Sequence, residues 1–306
     1  MRSVVGKIEG MTGRRERSDP ALLKATIKRA FGTGRRLLGA RTVAPGRVVV
    51  LCYHSIHPSK PFRSATPELF GEHLAWLKQN CDVIPFTDVL PATLSRKRRP
   101  SVAITFDDGH EDNHRFAFPL LKDNRLTATF FLTAGLLEKD SHVIDRFERI
   151  RQCDYDAIRP LDWSQVEEML QEGMQVGAHS YSHRNFARLG RSELQHELAD
   201  AKQIIEERLG VNVTSLAYPF GKPRIHFTDS AVGMARAAGY EQATATVKRG
   251  VRSTDPALRI PRMFVTQDSV EELEEKVRGH WDAIGVLQEH SPVWLSKLVS
   301  PVDFAY

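Results

Sequence analysis

Two adjacent carboxylates, Asp107 and Asp108, and two histidines four residues apart, His179 and His183, are the side chains of this sequence best suited to metal chemistry. Adjacent carboxylates repel each other unless something positive stands nearby. A divalent cation would relieve that repulsion, and imidazole nitrogen and carboxylate oxygen suit zinc and its first-row neighbours. A spacing of four puts both imidazoles on one face of a helical turn. Two histidines and one aspartate leave open positions for water and substrate, as a catalytic site requires. Neighbouring residues point different ways, so one aspartate can bind metal while the other acts as general base on the bound water. Taken alone, Asp-Asp-Gly is an ordinary turn and HxxxH an ordinary surface pair. Their meaning depends on the elements that carry them.

Those elements alternate. Arg47 opens a Val- and Leu-rich run that reads as a buried strand and ends in His54. A helix with Leu69, Phe70, His73, Leu74 and Leu77 on one face follows, then a short strand before Pro85. The next strand, SVAITF, ends in Asp107-Asp108-Gly109, and TATFFLT is a β-branched and aromatic strand. MQVGA ends in His179-Ser180-Tyr181-Ser182-His183, and TSLAY in Pro219-Phe220-Gly221. The long helix between them is predicted to start with Ser192 as N-cap and to stop at Gly210. Strands alternating with helices over some 230 residues imply a parallel sheet covered by helices. Seven or eight such units favour closure into a (β/α) barrel, in which function gathers at the C-terminal strand ends. Both motifs fall there.

The composition excludes several classes. With 306 residues, 41% hydrophobic and 26% charged, the chain can bury a sizeable core without cross-links. Its three cysteines, Cys52, Cys81 and Cys153, form no CxxC pair and read as reduced thiols. Twelve Lys/Arg and three acids lie within residues 1–47, against a whole-chain charge of +5. The remainder is therefore net negative, which argues against a nucleic-acid partner. The organisation expected is a basic extension over 1–46, part disordered and part amphipathic helix, and one catalytic domain over 47–306. Residues 21–38 have the pattern of a basic amphipathic helix, suited either to packing on the body or to peripheral contact with an anionic membrane surface. There is no apolar run of spanning length and no secretory signal pattern. The expectation is a cytoplasmic protein, peripheral at the inner membrane face where it meets a membrane at all.

The motifs TFDDG (Thr105–Gly109) and HSYSH (His179–His183), in this order and about 70 residues apart, resemble the first two motifs of the polysaccharide deacetylase family, the NodB-homology group or carbohydrate esterase family four. The resemblance spans roughly residues 47–280. It implies a distorted (β/α) barrel of about seven strands and a metal-dependent hydrolase that removes acetyl groups from N-acetylated sugars of a polysaccharide or glycan precursor. Carried over by position, Asp107 is the base, and Asp108, His179 and His183 bind the metal. Zn²⁺ is the first choice, with Co, Ni, Mn and Fe compatible with the same ligands.

The sequence departs from the usual third motif, with Ala217 in place of its arginine, and it shows no C-terminal Leu-x-x-His. The departures resemble a branch that includes poly-N-acetylglucosamine deacetylases. That match rests on Tyr53-His54, Tyr218-Pro219-Phe220-Gly221 and Pro261-Arg262. On it, His54 is the general acid and Arg262 orients Asp107. Tyr218, Pro219, Phe220 and Tyr181 are expected to meet the sugar, and the backbone N–H of Phe220 to meet the oxyanion. Trp163 has a stacking role or a helix-start packing role. Two other readings stand beside this one: an amidase or esterase of the same fold acting on a small or O-acylated substrate, and a non-catalytic glycan-binding protein.

Overall fold

The computed structural model describes residues 45–60, 63–95, 97–151 and 159–291. The basic extension, including residues 21–38, and Cys153 lie outside the described residues, apart from Pro45 and Gly46. Ten strands are described: β1 (Val48–Tyr53), β2 (Ser55–Ile56), β3 (Ser64–Ala65), β4 (Asp82–Val83), β5 (Ser101–Phe106), β6 (Thr129–Leu132), β7 (Gln175–Ala178), β8 (Ser215–Ala217), β9 (Gln242–Thr246) and β10 (Ile260–Phe264). Seven of them form a ring in the order β1-β10-β9-β8-β7-β6-β5, closed by β5 pairing with β1. Every pairing in the ring is parallel. β4 joins β5 at Ser101 and Val102, while β6 joins it at Thr105 and Phe106, so two strands share one edge of β5. β2 and β3 make a separate parallel pair.

Alternation along each strand sorts the side chains into two shells. On β1, Val49, Leu51 and Tyr53 pack outward into the larger core with Val102, Ile104 and Phe106 of β5. Val48 and Val50 face inward with Ala103, Phe131, Ala217 and Ile260. Phe86 and Val89 belong to this inner cluster and close its lower end. The same inward columns continue upward to Cys52 on β1, His54 just after it, Asp107 after β5, and Arg262 on β10. The barrel is apolar at its N-terminal end and chemically equipped at its C-terminal end.

The helices hold the strands by the faces their sequence provides. Pro67–Asn80 starts at Thr66, whose side chain caps Leu69 N–H, and it buries Phe70, His73, Leu74 and Leu77. Each such apolar side chain contributes about 1.5–3 kcal/mol by leaving water. His73 in that face is a satisfied core histidine, set between Tyr53 Oη and the Asp268 carbonyl. Val270–Arg278 begins with a Ser269/Glu272 capping box and ends at Gly279 in the left-handed region.

The helix expected to begin after Ser192 starts instead at Arg191, with Gly190 at the N-cap and Gly210 as its stop. It is interrupted by a π turn, His196–Asp200. A second π turn, Asn113–Ala117, precedes Phe118–Asn124. Such turns re-aim side chains within a helix and often mark functional sites. Here both reach toward the upper rim.

Candidate active site

Asp107 and Asp108 follow β5, and the chain turns sharply between them: Asp108 has φ +75° and Gly109 φ +82°. The turn sends the two carboxylates to different partners. Asp107 lies in the barrel mouth and is held in a fork by Arg262, with Nη1 to Oδ1 at 2.6 Å and Nη2 to Oδ2 at 2.5 Å. Both residues are buried. Burial alone would raise the Asp107 carboxyl, but Arg262 outweighs it, and the group falls to about 2. The Cys52 thiol donates to Asp107 Oδ2 at 3.6 Å. Burial pushes that thiol well above its ordinary value, so it stays protonated. His54 is buried beside Phe264, and burial pushes its imidazole down to about 3. At neutral pH it rests as the uncharged ring.

Asp108 has the opposite arrangement. Its Oδ2 accepts from Arg151 Nη2 at 2.6 Å and faces His110 Nε2 at 3.2 Å. Its Oδ1 is buried with no hydrogen-bond partner. That oxygen lies 3.6 Å from His179 Nε2 and 3.4 Å from His183 Nε2. His179 donates from Nδ1 to the Ala217 carbonyl at 2.7 Å, which leaves Nε2 as the lone-pair nitrogen facing Asp108. Burial, reinforced by Arg151, holds the His183 imidazole well below its ordinary value, in the neutral form a ligand needs. Burial opposes ionisation of Asp108, but Arg151 and His110 overcome it and keep the carboxyl well below the usual range.

Two buried triplets bring their donor atoms within 4.8 Å of one another: Cys52, His54 and Asp107, and Asp108, His179 and His183. Only the second fits a divalent cation. In the first, both Asp107 oxygens are occupied by Arg262 and the thiol is protonated. In the second, an ionised carboxylate presents an unsatisfied oxygen to two neutral imidazole nitrogens. The pattern of two histidines and one carboxylate is a known catalytic donor set.

The loops that carry these groups are constrained. Ser180, His183 and Phe220 all have positive φ, at +69°, +53° and +59°. Non-glycine residues in that region cost on the order of 1–3 kcal/mol each. The surroundings enforce them. Glu197, in the π turn, accepts Ser182 N–H at 2.8 Å and the Ser182 hydroxyl as well. His183 N–H is bound by Ser180 Oγ at 2.8 Å. Gly221 has φ +72°, and any Cβ there would collide with Thr246. On the other side, Asn113 donates to the His54 carbonyl at 2.7 Å.

The expected sugar contacts divide. Phe220 is half-buried and sets its ring edge-on to His183, with centroids 4.6 Å apart. Tyr218 is fully buried. It stacks on Phe227 and donates to the Leu258 carbonyl. Its side chain packs in the larger core, because inward and outward positions alternate along the strand end. Pro219 is buried with it. Tyr181 donates to Asp140 Oδ2 and rests on the His196 ring. Trp163 opens a helix and donates to Glu138. Four residues of the site were not singled out in the sequence: Cys52 beside Asp107, His110 and Arg151 on Asp108, and Glu197 under the second motif. His110 was within reach, two residues past Asp108. The other three are placed by distant elements.

The comparisons agree with this geometry. The polysaccharide deacetylase family model matches residues 95–243, which include both motifs. The chain is 26% identical over 221 residues, 71% of either chain, to YxkH of Bacillus subtilis (strain 168), itself described as a candidate polysaccharide deacetylase. It is 22% identical over 233 residues, 72% of either chain, to the poly-beta-1,6-N-acetyl-D-glucosamine N-deacetylase of Staphylococcus aureus (strain MRSA252). Among solved structures, the Streptococcus pyogenes deacetylase PplD in complex with acetate superposes with a TM-score of 0.64 at 23% identity, covering 76% of this chain and 99% of that one. IcaB from Ammonifex degensii superposes with a TM-score of 0.61 at 24% identity, covering 76% and 97%. These likenesses establish the barrel. With the two motifs at its upper rim, the chain is similar to the polysaccharide deacetylase family over residues 95–243.

Proposed function

We propose that this protein hydrolyses the acetamide of N-acetylated amino sugars in a polysaccharide or glycan precursor. One observation carries the reading: a buried carboxylate oxygen without a partner, Asp108 Oδ1, faces two imidazole nitrogens beside a second carboxylate fixed by an arginine. Asp108, His179 and His183 hold a divalent cation, with Zn²⁺ the first choice. Such a cation supplies Lewis acidity to the acyl carbonyl and to water. Asp107 is ionised throughout the working pH range and takes the proton of the attacking water. Arg262 keeps Asp107 charged and fixes both of its oxygens. The backbone N–H of Phe220 meets the oxyanion as it forms. His54, neutral at rest, carries the proton onward: its ring nitrogen lies within 4.8 Å of an Asp107 oxygen, and it becomes charged only during turnover. It then protonates the leaving amine, and acetate departs.

Acetate release from β-1,6- and β-1,4-linked N-acetylglucosamine oligomers, with and without chelator, tests this reading. Release that chelator stops and Zn²⁺ restores is expected. No acetate from any N-acetylated oligomer would withdraw the function, and release that chelator leaves untouched would withdraw the cation.

The same proposal gives residues 47–306 the catalytic role and residues 21–38 a peripheral contact with an anionic inner membrane face. Co-sedimentation with anionic vesicles should fall when residues 1–40 are removed. Equal binding by both forms discards the contact.

A further inference from the structure

A cavity of about 280 Å³ adjoins the metal-ligand candidate His183 and the half-buried Phe220 ring. Ile150, on the helix Ser141–Arg151, and Leu189, downstream of the second motif, also line it. The surface turned to the space is almost entirely apolar, so the arginines among its walls, such as Arg146 and Arg184, contribute their alkyl stems. A wall of this kind gives sugar hydroxyls few partners, and burying a hydroxyl unpaired is costly. It suits hydrocarbon. The volume is near the lower end of small-ligand sites, about 300 Å³, and far exceeds what an acetyl methyl needs.

The place of the cavity in the barrel matters as much as its lining. His183 and Phe220 follow β7 and β8, whereas His54 follows β1, whose ring neighbours are β10 and β5. The two groups therefore stand on different sides of the mouth. In the proposed reaction the leaving nitrogen faces His54. An amide carries its nitrogen and its acyl chain on different flanks of the carbonyl carbon, so the chain is directed away from β1, toward β7 and β8.

We propose that this cavity is an acyl pocket that takes unbranched N-acyl chains longer than acetyl, such as butyryl or hexanoyl. The pocket rests on the deacetylase reading and deepens it, by widening the substrate class to short-chain N-acyl amino sugars. The reaction keeps its balance: water adds to the acyl carbon, the C–N bond breaks, the nitrogen takes the proton, and butyrate or hexanoate leaves in place of acetate.

The test gives the Zn²⁺-loaded, full-length protein N-acetylated, N-butyrylated and N-hexanoylated glucosamine pentamers and measures the free amine formed. Each buried methylene is worth about 4-fold, so kcat/KM for the butyryl pentamer should exceed that for the acetyl one by about 10-fold. Ile150→Trp and Leu189→Trp fill the space, and each should bring the butyryl-to-acetyl ratio below one. Free butyrate and hexanoate should inhibit the parent protein more strongly than acetate, a readout that needs no variant to fold. A butyryl rate no higher than the acetyl rate overturns the pocket and leaves the deacetylase reading intact. So does a ratio that both tryptophan variants preserve, or free butyrate that inhibits no better than acetate. No amine from any pentamer overturns both.

Discussion

Asp107 and Asp108 are consecutive residues at one strand end, yet their surroundings are opposite. Asp107 has both oxygens bound by Arg262, with Cys52 and His54 alongside. Asp108 is bound on one oxygen only, by Arg151 and His110, and its other oxygen is left to two histidines. The first carboxylate is completed by the fold; the second is left open for a ligand. The difference arises from the barrel. Positions after β5 that point into the mouth meet β1 and β10, while those turned outward by a positive φ meet the loop after β7. On the proposed function, one dipeptide thus separates a proton-handling half from a metal-holding half.

The sharpest way to break that division is to neutralise each acid in turn. Asp107→Asn should cut turnover by about 10⁴-fold, the upper range for a lost general base, and leave Zn²⁺ affinity within a few-fold. Asp108→Asn should weaken Zn²⁺ binding by at least about 100-fold, beyond what an outer partner of a ligand is worth. Acetate release and calorimetric titration read the two separately. If both variants lose metal alike, the halves are not distinct. Asp107→Asn also leaves Arg262 buried beside a neutral amide, so a melting curve must accompany it; an unpaired buried charge costs about 3–5 kcal/mol.

Much of this was legible in the sequence because strand alternation carries the site. SVAITF and MQVGA announce buried strands, and polar residues at their ends have no packing task, so Asp107, Asp108, His179 and His183 stand out. His54 was reachable as the polar residue just past its strand, whereas Arg262 was reached only through the family resemblance. Tyr218 and Pro219 lie buried in the core, whereas Phe220 of the same motif is half-buried beside His183, a division that the motif's text alone does not show. Arg151 and Glu197 were illegible. Each lies on a helix whose periodicity gives no hint of which strand end its polar face will cover. A π turn then shifts Glu197 off the helical register altogether.

Within the proton-handling half, His54→Ala should slow acetate release by about 10²–10⁴-fold without weakening Zn²⁺ binding. A rate unchanged from the parent removes His54 from the reaction. Arg262→Met should cost less, about 10–100-fold, because it acts through Asp107. Its signature is the pH profile. Burial raises the Asp107 carboxyl, and Arg262, ahead of His179 and His54, brings it down to about 2, so losing the guanidinium lets that value climb. A base works deprotonated, so the acid limb of kcat/KM should move to higher pH, and Arg262→Lys should move it part of the way back. A limb that stays in place would make Arg262 a packing residue only.

The smallest effect tests the other half, through stability. His226 is buried behind Phe220, and burial pushes its imidazole down to about 3. The folded value lies below the ordinary 6.5, so the unfolded chain takes up the proton first. Stability from the neutral ring is therefore present above about pH 6.5 and is lost progressively as pH falls toward 3. By linkage the loss reaches about 2 kcal/mol at pH 5. His54 follows the same sign in the opposite half. His226→Gln should flatten the fall in melting temperature between pH 7 and pH 5, whereas Lys122→Gln, on the exposed surface, should not. If the His226 variant loses as much stability on acidification as the parent, the protonation of the proton-handling half, and not of the wall behind Phe220, governs the acid sensitivity of this fold.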